Sequence, residues 1–339
     1  MVSSSLSGSV FSDAAILTFG MQFIGFTIAA ILQTEIFYDI LGGINFLALA
    51  VMSSFALFGD TNANTDNADG YKYASHHGIF VGLFAISRGW LLLFLAWRAH
   101  HRKGDSRFDG VKTIPSKFFV YWMVQAVWVY CISLPLLVVA ATANGNTNAT
   151  TNNNNNSNDQ LQVRYGLILL LSGMALSIYT EIRSDITKAK WVAKGRPGGF
   201  CTDGHWKYSR HPNYAGEILT WVFAAWYAIL ACDNNWSWTS IVVASISPLF
   251  TIQILLNTSG TGVWNAEGKN LKRYYEHEDR TIARNYEAYR RTTPPLFPLI
   301  TIIIPYDKVP LQYQRLFCFE WERYEYKTPS TGKKSDKNE

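Results

Sequence analysis

Residues 118–141, "FFVYWMVQAVWVYCISLPLLVVAA", contain no Asp, Glu, Lys or Arg. A helix of this length exceeds the ~30 Å hydrocarbon core of a bilayer, which takes about 20 apolar residues to cross. Six further apolar runs lie at about 14–34, 40–59, 77–97, 161–180, 215–232 and 237–257. The chain therefore reads as all-α, a polytopic membrane bundle of seven transmembrane helices. Composition agrees: the 339 residues are 48% hydrophobic and 15% aromatic, but only 16% charged, against roughly 25% charged in soluble domains. The start, "MVSSSLSGSVFSDAAILTFG", lacks the basic n-region of a cleaved signal peptide, so the first run is expected to remain as a span.

Lys and Arg sort the connections, because they collect on the cytoplasmic side of short loops. Arg98, Arg102, Lys103, Arg107, Lys112 and Lys117 follow the third span. Arg183, Lys188, Lys190, Lys194, Arg196, Lys207 and Arg210 follow the fifth. The segments "GDTNANTDNADGYKY" and "ATANGNTNATTNNNNNSNDQ" carry almost no positive charge and are expected on the opposite side. The N-terminus then lies outside and the C-terminus in the cytoplasm. Residues 143–160 form an Asn-rich insert with almost nothing apolar to bury, and read as disordered. Residues 301–339 read as a polar C-terminal tail appended to a transmembrane domain of 1–300. The net charge of +5 is accounted for by the cytoplasmic loops, leaving no separate support for nucleic-acid binding. The four cysteines are scattered without a C-x-x-C pair, which argues against a disulfide framework or a zinc site.

Polar chemistry concentrates in "EIRSDITKAKWVAKGRPGGFCTDGHWKYSRHPNY", residues 181–214. If the fifth helix continues into it, Glu181, Asp185 and Lys188 fall on one face at the membrane boundary. Gly195, Gly198 and Gly199 flank Pro197 in a loop whose backbone N–H groups can approach a ligand closely. There is neither a G-x-G-x-x-G following a strand nor a Walker A sequence, so any nucleotide must be held by another fold. Pro212 suits the first position of the sixth helix. Asn213 and Glu217 are then i, i+4 neighbours at its entry. An ionisable group there is usually kept for a ligand or a partner, and both readings stay open: Glu217 either serves a ligand site or only neutralises a cation such as Arg210. Beyond the last span, Lys269, Lys272, Arg273, Arg290 and Arg291 alternate with Tyr274, Tyr275, Tyr286 and Tyr289. That mixture suits phosphate and purine, and equally suits anionic lipid headgroups.

These segments resemble a family. "GHWKYSRHPNYAGEILTW" (204–221) is similar to the signature of the steroid 5α-reductase-like superfamily, especially a branch of small multi-pass membrane proteins with the motif W-x-Y-S-R-H-P-N-Y-x-G-E. "EIFYDILGGINF", "GDSRFDGVKTIPSKFFVYWMVQAVWVYCISLP", "EIRSDITKAKW" and "NYEAYRRTTPPLFP" resemble further segments of that branch in the same order. The resemblance implies a seven-helix endomembrane reductase, as of the endoplasmic reticulum. Such an enzyme is an oxidoreductase acting on CH-CH groups, using NADPH to reduce a carbon–carbon double bond in a steroid, isoprenoid or fatty substrate. It implies that Asn213 and Glu217 meet the nicotinamide end of the cofactor and that Asp185 helps hold the adenosine part. Arg210, His211 and Tyr214 of the motif belong to the same cofactor site. Glu181 stands where the family has an Asn, replacing a neutral donor by an acidic acceptor. Arg183, Lys188, Lys190 and Arg196 supply positive charge for a 2′-phosphate, favouring NADPH over NADH. The proton donor does not align; Glu35, Asp39 and Tyr208 are the candidates for a catalytic role. The implied partners are a hydrophobic substrate and membrane lipids, with no metal. Two other readings remain: an S-adenosylmethionine-dependent methyltransferase of the isoprenylcysteine type, whose motif also ends a loop in R-H-P-x-Y, and a non-catalytic lipid-binding or scaffold protein.

Overall fold

The computed structural model describes residues 8–58, 68–101, 108–146, 157–232, 238–259, 261–298 and 303–325. Among the described residues all regular structure is helical, and seven stretches are long and apolar enough to cross a membrane. The chain is a multi-pass membrane protein. Its helices are α1 (Gly8–Leu32), α2 (Tyr38–Phe58), α3 (Ala68–His101), α4 (Pro115–Asn146), α5 (Ser157–Ala193), α6 (Pro212–Ala231), α7 (Trp238–Ile252), α8 (Gly262–Tyr275), α9 (Arg280–Thr292) and α10 (Leu311–Phe317).

Several helices outrun the apolar segments that announce them. α5 passes the end of its apolar run by more than three turns, because nothing between 181 and 193 breaks a helix. It stops where Gly195 takes φ +78°, with the Gly195 and Arg196 N–H groups closing on the carbonyls of Val192 and Trp191. α6 begins at Pro212, where a missing N–H costs nothing. α7 gives way at Gln253 to a π-helical turn running to Asn257. α4 ends at Asn146 and α5 begins at Ser157, so the core of the Asn-rich insert, 147–156, lies outside the described residues, as do 326–339 of the tail.

The chain divides into two compact units. The first comprises residues 1–179 and 216–251, the second 180–215 and 252–339. In the first, α4 is the central helix: 67% of its apolar window is buried, against 22% for α1. It packs on α1 and α2, and α2 packs on α3. Glycines make that approach possible. A Cβ on Gly25 would lie 2.5 Å from the Trp122 ring, and one on Gly42 would lie 2.1 Å from Gln125 Nε2, so larger residues would force α1 and α2 away from α4. Gln125 Nε2 donates to the Tyr38 carbonyl (2.9 Å) and the Tyr38 hydroxyl to that of Tyr121 (2.8 Å), fixing the start of α2 against α4. The outer faces, with Ile16, Phe23, Phe55, Leu93 and Leu169 exposed, are apolar as a lipid solvent requires.

The second unit holds the end of α5, the 194–211 connection, α8, α9 and the C-terminal segment. Phe200 of the connection packs among Tyr274, Tyr286 and Tyr289, with ring centroids 5.2–5.9 Å apart. The backbone N–H groups of Arg210 and His211 donate to the carbonyls of Pro294 and Pro295 (both 2.9 Å), tying the entry of α6 to the segment after α9. Residues 303–325, part of the stretch read from sequence as a polar tail, contribute the buried side chains of Tyr306, Cys318 and Tyr324 to this unit. The Tyr324 hydroxyl donates to the Leu256 carbonyl (2.7 Å).

Candidate functional site

In the second unit, α5 carries Glu181, Asp185 and Lys188 along one face, as continuation of the helix requires. Glu181 is buried, and Asp185 Oδ1 accepts a hydrogen bond from Asn213 Nδ2 (3.1 Å). The structure thus joins directly two residues, 28 positions apart, that the resemblance assigns to opposite ends of one ligand. The remaining amide oxygen, Asn213 Oδ1, is buried and meets no donor, an arrangement that costs about 1–3 kcal/mol unless a ligand supplies one.

The same unit holds the glycine loop. Gly195, Arg196, Gly198 and Gly199 all have positive φ, from +60° to +84°. Gly199 has a second reason to be glycine, since a Cβ there would come within 2.7 Å of Ile282. Trp191 Nε1 donates to the Pro197 carbonyl (3.0 Å), tying the loop to the end of α5, and Trp206 Nε1 donates to the Ser184 carbonyl (2.9 Å), tying the later connection to α5. Lys188 Nζ lies over both rings, 4.5 and 4.3 Å from their centroids. Arg183 and Arg196 are exposed.

Arg210 and His211 are committed differently. Arg210 is fully buried and binds Glu267 Oε1 through Nη1 (3.4 Å) and Glu320 through Nη2. His211 Nε2 lies 2.8 Å from the same Glu267 oxygen and stacks on Tyr214, 10° from parallel. The Tyr286 hydroxyl donates to Glu267 Oε2 (3.2 Å), while Arg290 Nη2 (3.0 Å) and the Tyr306 hydroxyl (2.8 Å) converge on Glu320. Burial alone would raise the Glu320 carboxyl, but the charges of Arg210 and Arg290 outweigh it and hold it below its ordinary value. Burial pushes the Tyr286 and Tyr306 phenols up. The network sets Arg210 and Arg290 against Glu267 and Glu320 and positions the entry of α6, so Arg210 and His211 are already committed within it.

Glu217 belongs to the first unit. Its carboxylate takes Arg88 Nη2 at 3.1 and 3.2 Å and Trp221 Nε1 at 2.9 Å. The cation it pairs with in this unit is Arg88, while Arg210 pairs with Glu267 and Glu320 in the second. Of the residues considered for proton donation, Glu35 accepts from Lys112 (2.9 Å) at one end of the first unit, which places the α1–α2 turn and residue 112 together as the alternating order of spans demands. Asp39 lies in the first turn of α2, and Tyr208 is exposed with Lys207 over its ring. Glu35 and Asp39 thus belong to the first unit and Tyr208 to the second.

Sequence reasoning missed Arg88 and both network carboxylates, Glu267 and Glu320. Arg88 had a signal: it is the one charged residue in the apolar run 77–97, and an ionisable group at that depth reads as functional by default. Nothing local marks Glu320.

Residues 25–293 match the family model of DUF1295, described as a protein of unknown function. The chain belongs to the DUF1295 family. The matched region takes in the Asp185–Asn213 pair, the glycine loop, Glu267 and the Arg88–Glu217 pair, while Tyr306, Glu320 and Tyr324 lie beyond it. No curated protein and no solved structure matches the chain.

Proposed function

We propose that the protein is an NADPH-dependent membrane reductase of a carbon–carbon double bond in a hydrophobic substrate. The observation that carries this reading is the Asp185–Asn213 pair with its unmatched buried amide oxygen, set in the same unit as a glycine loop and the exposed Arg183 and Arg196. A carboxylate, an amide and exposed guanidiniums suit a ligand with hydroxyl, amide and phosphate groups. Asn213 Oδ1 can accept an N–H or O–H from it, Asp185 can accept a ribose hydroxyl, and Arg183 and Arg196 can take phosphate oxygens. Bound NADPH would supply a hydride, and a proton completes the saturated product. The resemblance of residues 204–221 to the steroid 5α-reductase-like signature supports the same reading.

The test is ligand-induced thermal stabilisation of the purified protein in detergent with NADPH, NADH and S-adenosylmethionine in parallel. NADPH should bind at least about tenfold tighter than NADH, or ~1.4 kcal/mol. Asn213→Ala and Asp185→Ala should each weaken NADPH about tenfold without lowering the melting temperature of the free protein by more than a few degrees. Equal binding of NADH removes the phosphate argument, and stabilisation by S-adenosylmethionine alone turns the reading to methyl transfer.

We further propose an endomembrane location with the N-terminal end of α1 in the lumen and the second unit in the cytoplasm, from the Lys and Arg asymmetry. In a cysteine-free background, Lys117→Cys and Lys194→Cys should both react with an impermeant maleimide from the cytoplasmic side only. Labelling of Lys194→Cys from the lumen inverts the topology.

A further inference from the structure

The short helix α10 is inside out for a protein surface in water. Leu311, Tyr313, Leu316 and Phe317 are each more than half exposed, no residue of the helix is buried, and Ile303 ahead of it is 85% exposed. The residue that turns inward is Gln314, whose Nε2 donates to the carbonyls of Tyr306 (3.0 Å) and Val309 (2.8 Å). A helix facing water buries its apolar side chains and presents its polar ones. Here the amide is inside, while the exposed Tyr313 and Phe317 rings stack on each other, 9° from parallel. The arrangement is held from both sides, because Tyr306, Val309, Cys318 and Tyr324, flanking α10, are buried.

The attachment points of this segment say which apolar phase covers it. The Tyr324 hydroxyl donates to the Leu256 carbonyl (2.7 Å), and Arg323 Nη1 donates to Asn257 Oδ1 (2.8 Å). Leu256 and Asn257 end the last apolar run of the sequence, 237–257, in the π-helical turn that follows α7. The C-terminal segment thus grips the residues at which the seventh span leaves the hydrocarbon. Arg323 lies over the rings of Trp321 (4.6 Å) and Trp264 (5.7 Å), and Trp321 stacks on Tyr324; Trp and Tyr are the residues that collect at membrane–water interfaces. The charges around α10 balance, Lys308 and Arg315 against Asp307 and Glu322, with Arg315 and Glu322 paired at 2.5 Å. A charged partner would therefore find little to complement. We propose that α10 is an interfacial anchor that sets Leu311, Tyr313, Leu316 and Phe317 among the lipids of the membrane the spans cross, at the boundary of headgroups and acyl chains. Glu320 follows Phe317 by three residues, so lipid contact and the ion pair to Arg210 secure the same piece of chain. The anchor lies beyond the segment that the family model matches, 25–293, and rests on neither the cofactor nor the reaction.

The test places the natural protein in phosphatidylcholine nanodiscs doped with a phosphatidylcholine that carries a diazirine in one acyl chain. After irradiation, trypsin cuts at Lys308, Arg315 and Arg323 and releases fragments 309–315 and 316–323 for mass spectrometry. Both should carry lipid adducts, as fragments of the spans do. Fragment 274–280, with Glu276, Glu278 and Asp279 exposed, should carry none. The triple variant Tyr313→Ser/Leu316→Ser/Phe317→Ser touches no buried side chain, so it should keep its melting temperature and lose the adducts on 309–323. Labelled spans with 309–315 and 316–323 unlabelled overturn the proposal, and that comparison needs no variant. Labelling of 274–280 to the same extent overturns it as well, since α10 would then have no contact of its own. If the adducts are missing and Leu316→Cys, in a cysteine-free background, cross-links to a second copy, the face belongs to a contact between copies of the chain instead of to lipid.

Discussion

Glu267→Ala should destabilise the second unit by about 3–5 kcal/mol, the cost of stripping the partner from a buried charge. Glu267 is 1% exposed and takes three groups at once: Arg210 Nη1, His211 Nε2 and the Tyr286 hydroxyl. Its removal leaves the fully buried Arg210 with Glu320 as its remaining carboxylate and orphans a tyrosyl hydroxyl. Glu267→Gln keeps an acceptor and should cost less. Denaturant unfolding in detergent, followed by proteolysis at the 194–211 connection, reads the difference; a loss below about 1 kcal/mol for the alanine variant would refute this account of the network. The same network predicts an acid limit. The folded pKa of Glu320 is lowered, so its contribution is fully present above the unfolded carboxylate value of about 4.3 and is lost as pH falls through the lower folded value. Glu320→Gln should lose stability at neutral pH and show less further loss below about pH 4.3.

What the sequence made legible divides by the range of the physics involved. Membrane spans are local: a run such as 118–141 has one low-energy fate in a bilayer, and α4 follows it closely. The start of α6 was equally local, since Pro212 fits N1 and hardly anywhere else in a helix. Where α5 would end was not legible from hydropathy, because the helix outlasts the apolar run and stops only at Gly195. The family resemblance put Asp185 and Asn213 at opposite ends of one ligand, so their direct hydrogen bond was not legible and comes from the geometry alone. The C-terminal contribution was hidden. "LFCFEWERYEYK" looks like a solvated end, and only a fold that lays residue 320 against Arg210, 110 positions earlier, makes Glu320 a core residue. Arg88 was visible in principle, but hydropathy averaged over a span absorbs one charge among about twenty apolar residues.

Arg88 and Glu217 are separated by 129 positions, and the expected consequence of their pairing is a large coupling. Arg88→Met leaves a carboxylate beside Trp221 Nε1 with its counter-ion gone, and Glu217→Leu leaves a buried guanidinium held by the Ser87 hydroxyl without a countercharge. Each single change should cost about 3–5 kcal/mol, because it buries one uncompensated charge. The double variant Arg88→Met/Glu217→Leu removes both charges and returns apolar volume to a site already walled by Phe46, Phe84 and Trp221, so it should be more stable than either single variant. That sign is the test. A double-mutant cycle in detergent should give a coupling of several kcal/mol for Arg88 with Glu217 and near zero for Arg210 with Glu217, since Arg210 spends its charge on Glu267 and Glu320. If the double variant instead costs the sum of the two singles, the charges act independently and Arg88 is not held by Glu217. If Arg210 shows the coupling, the helix-end pairing that the sequence left open is the operative one.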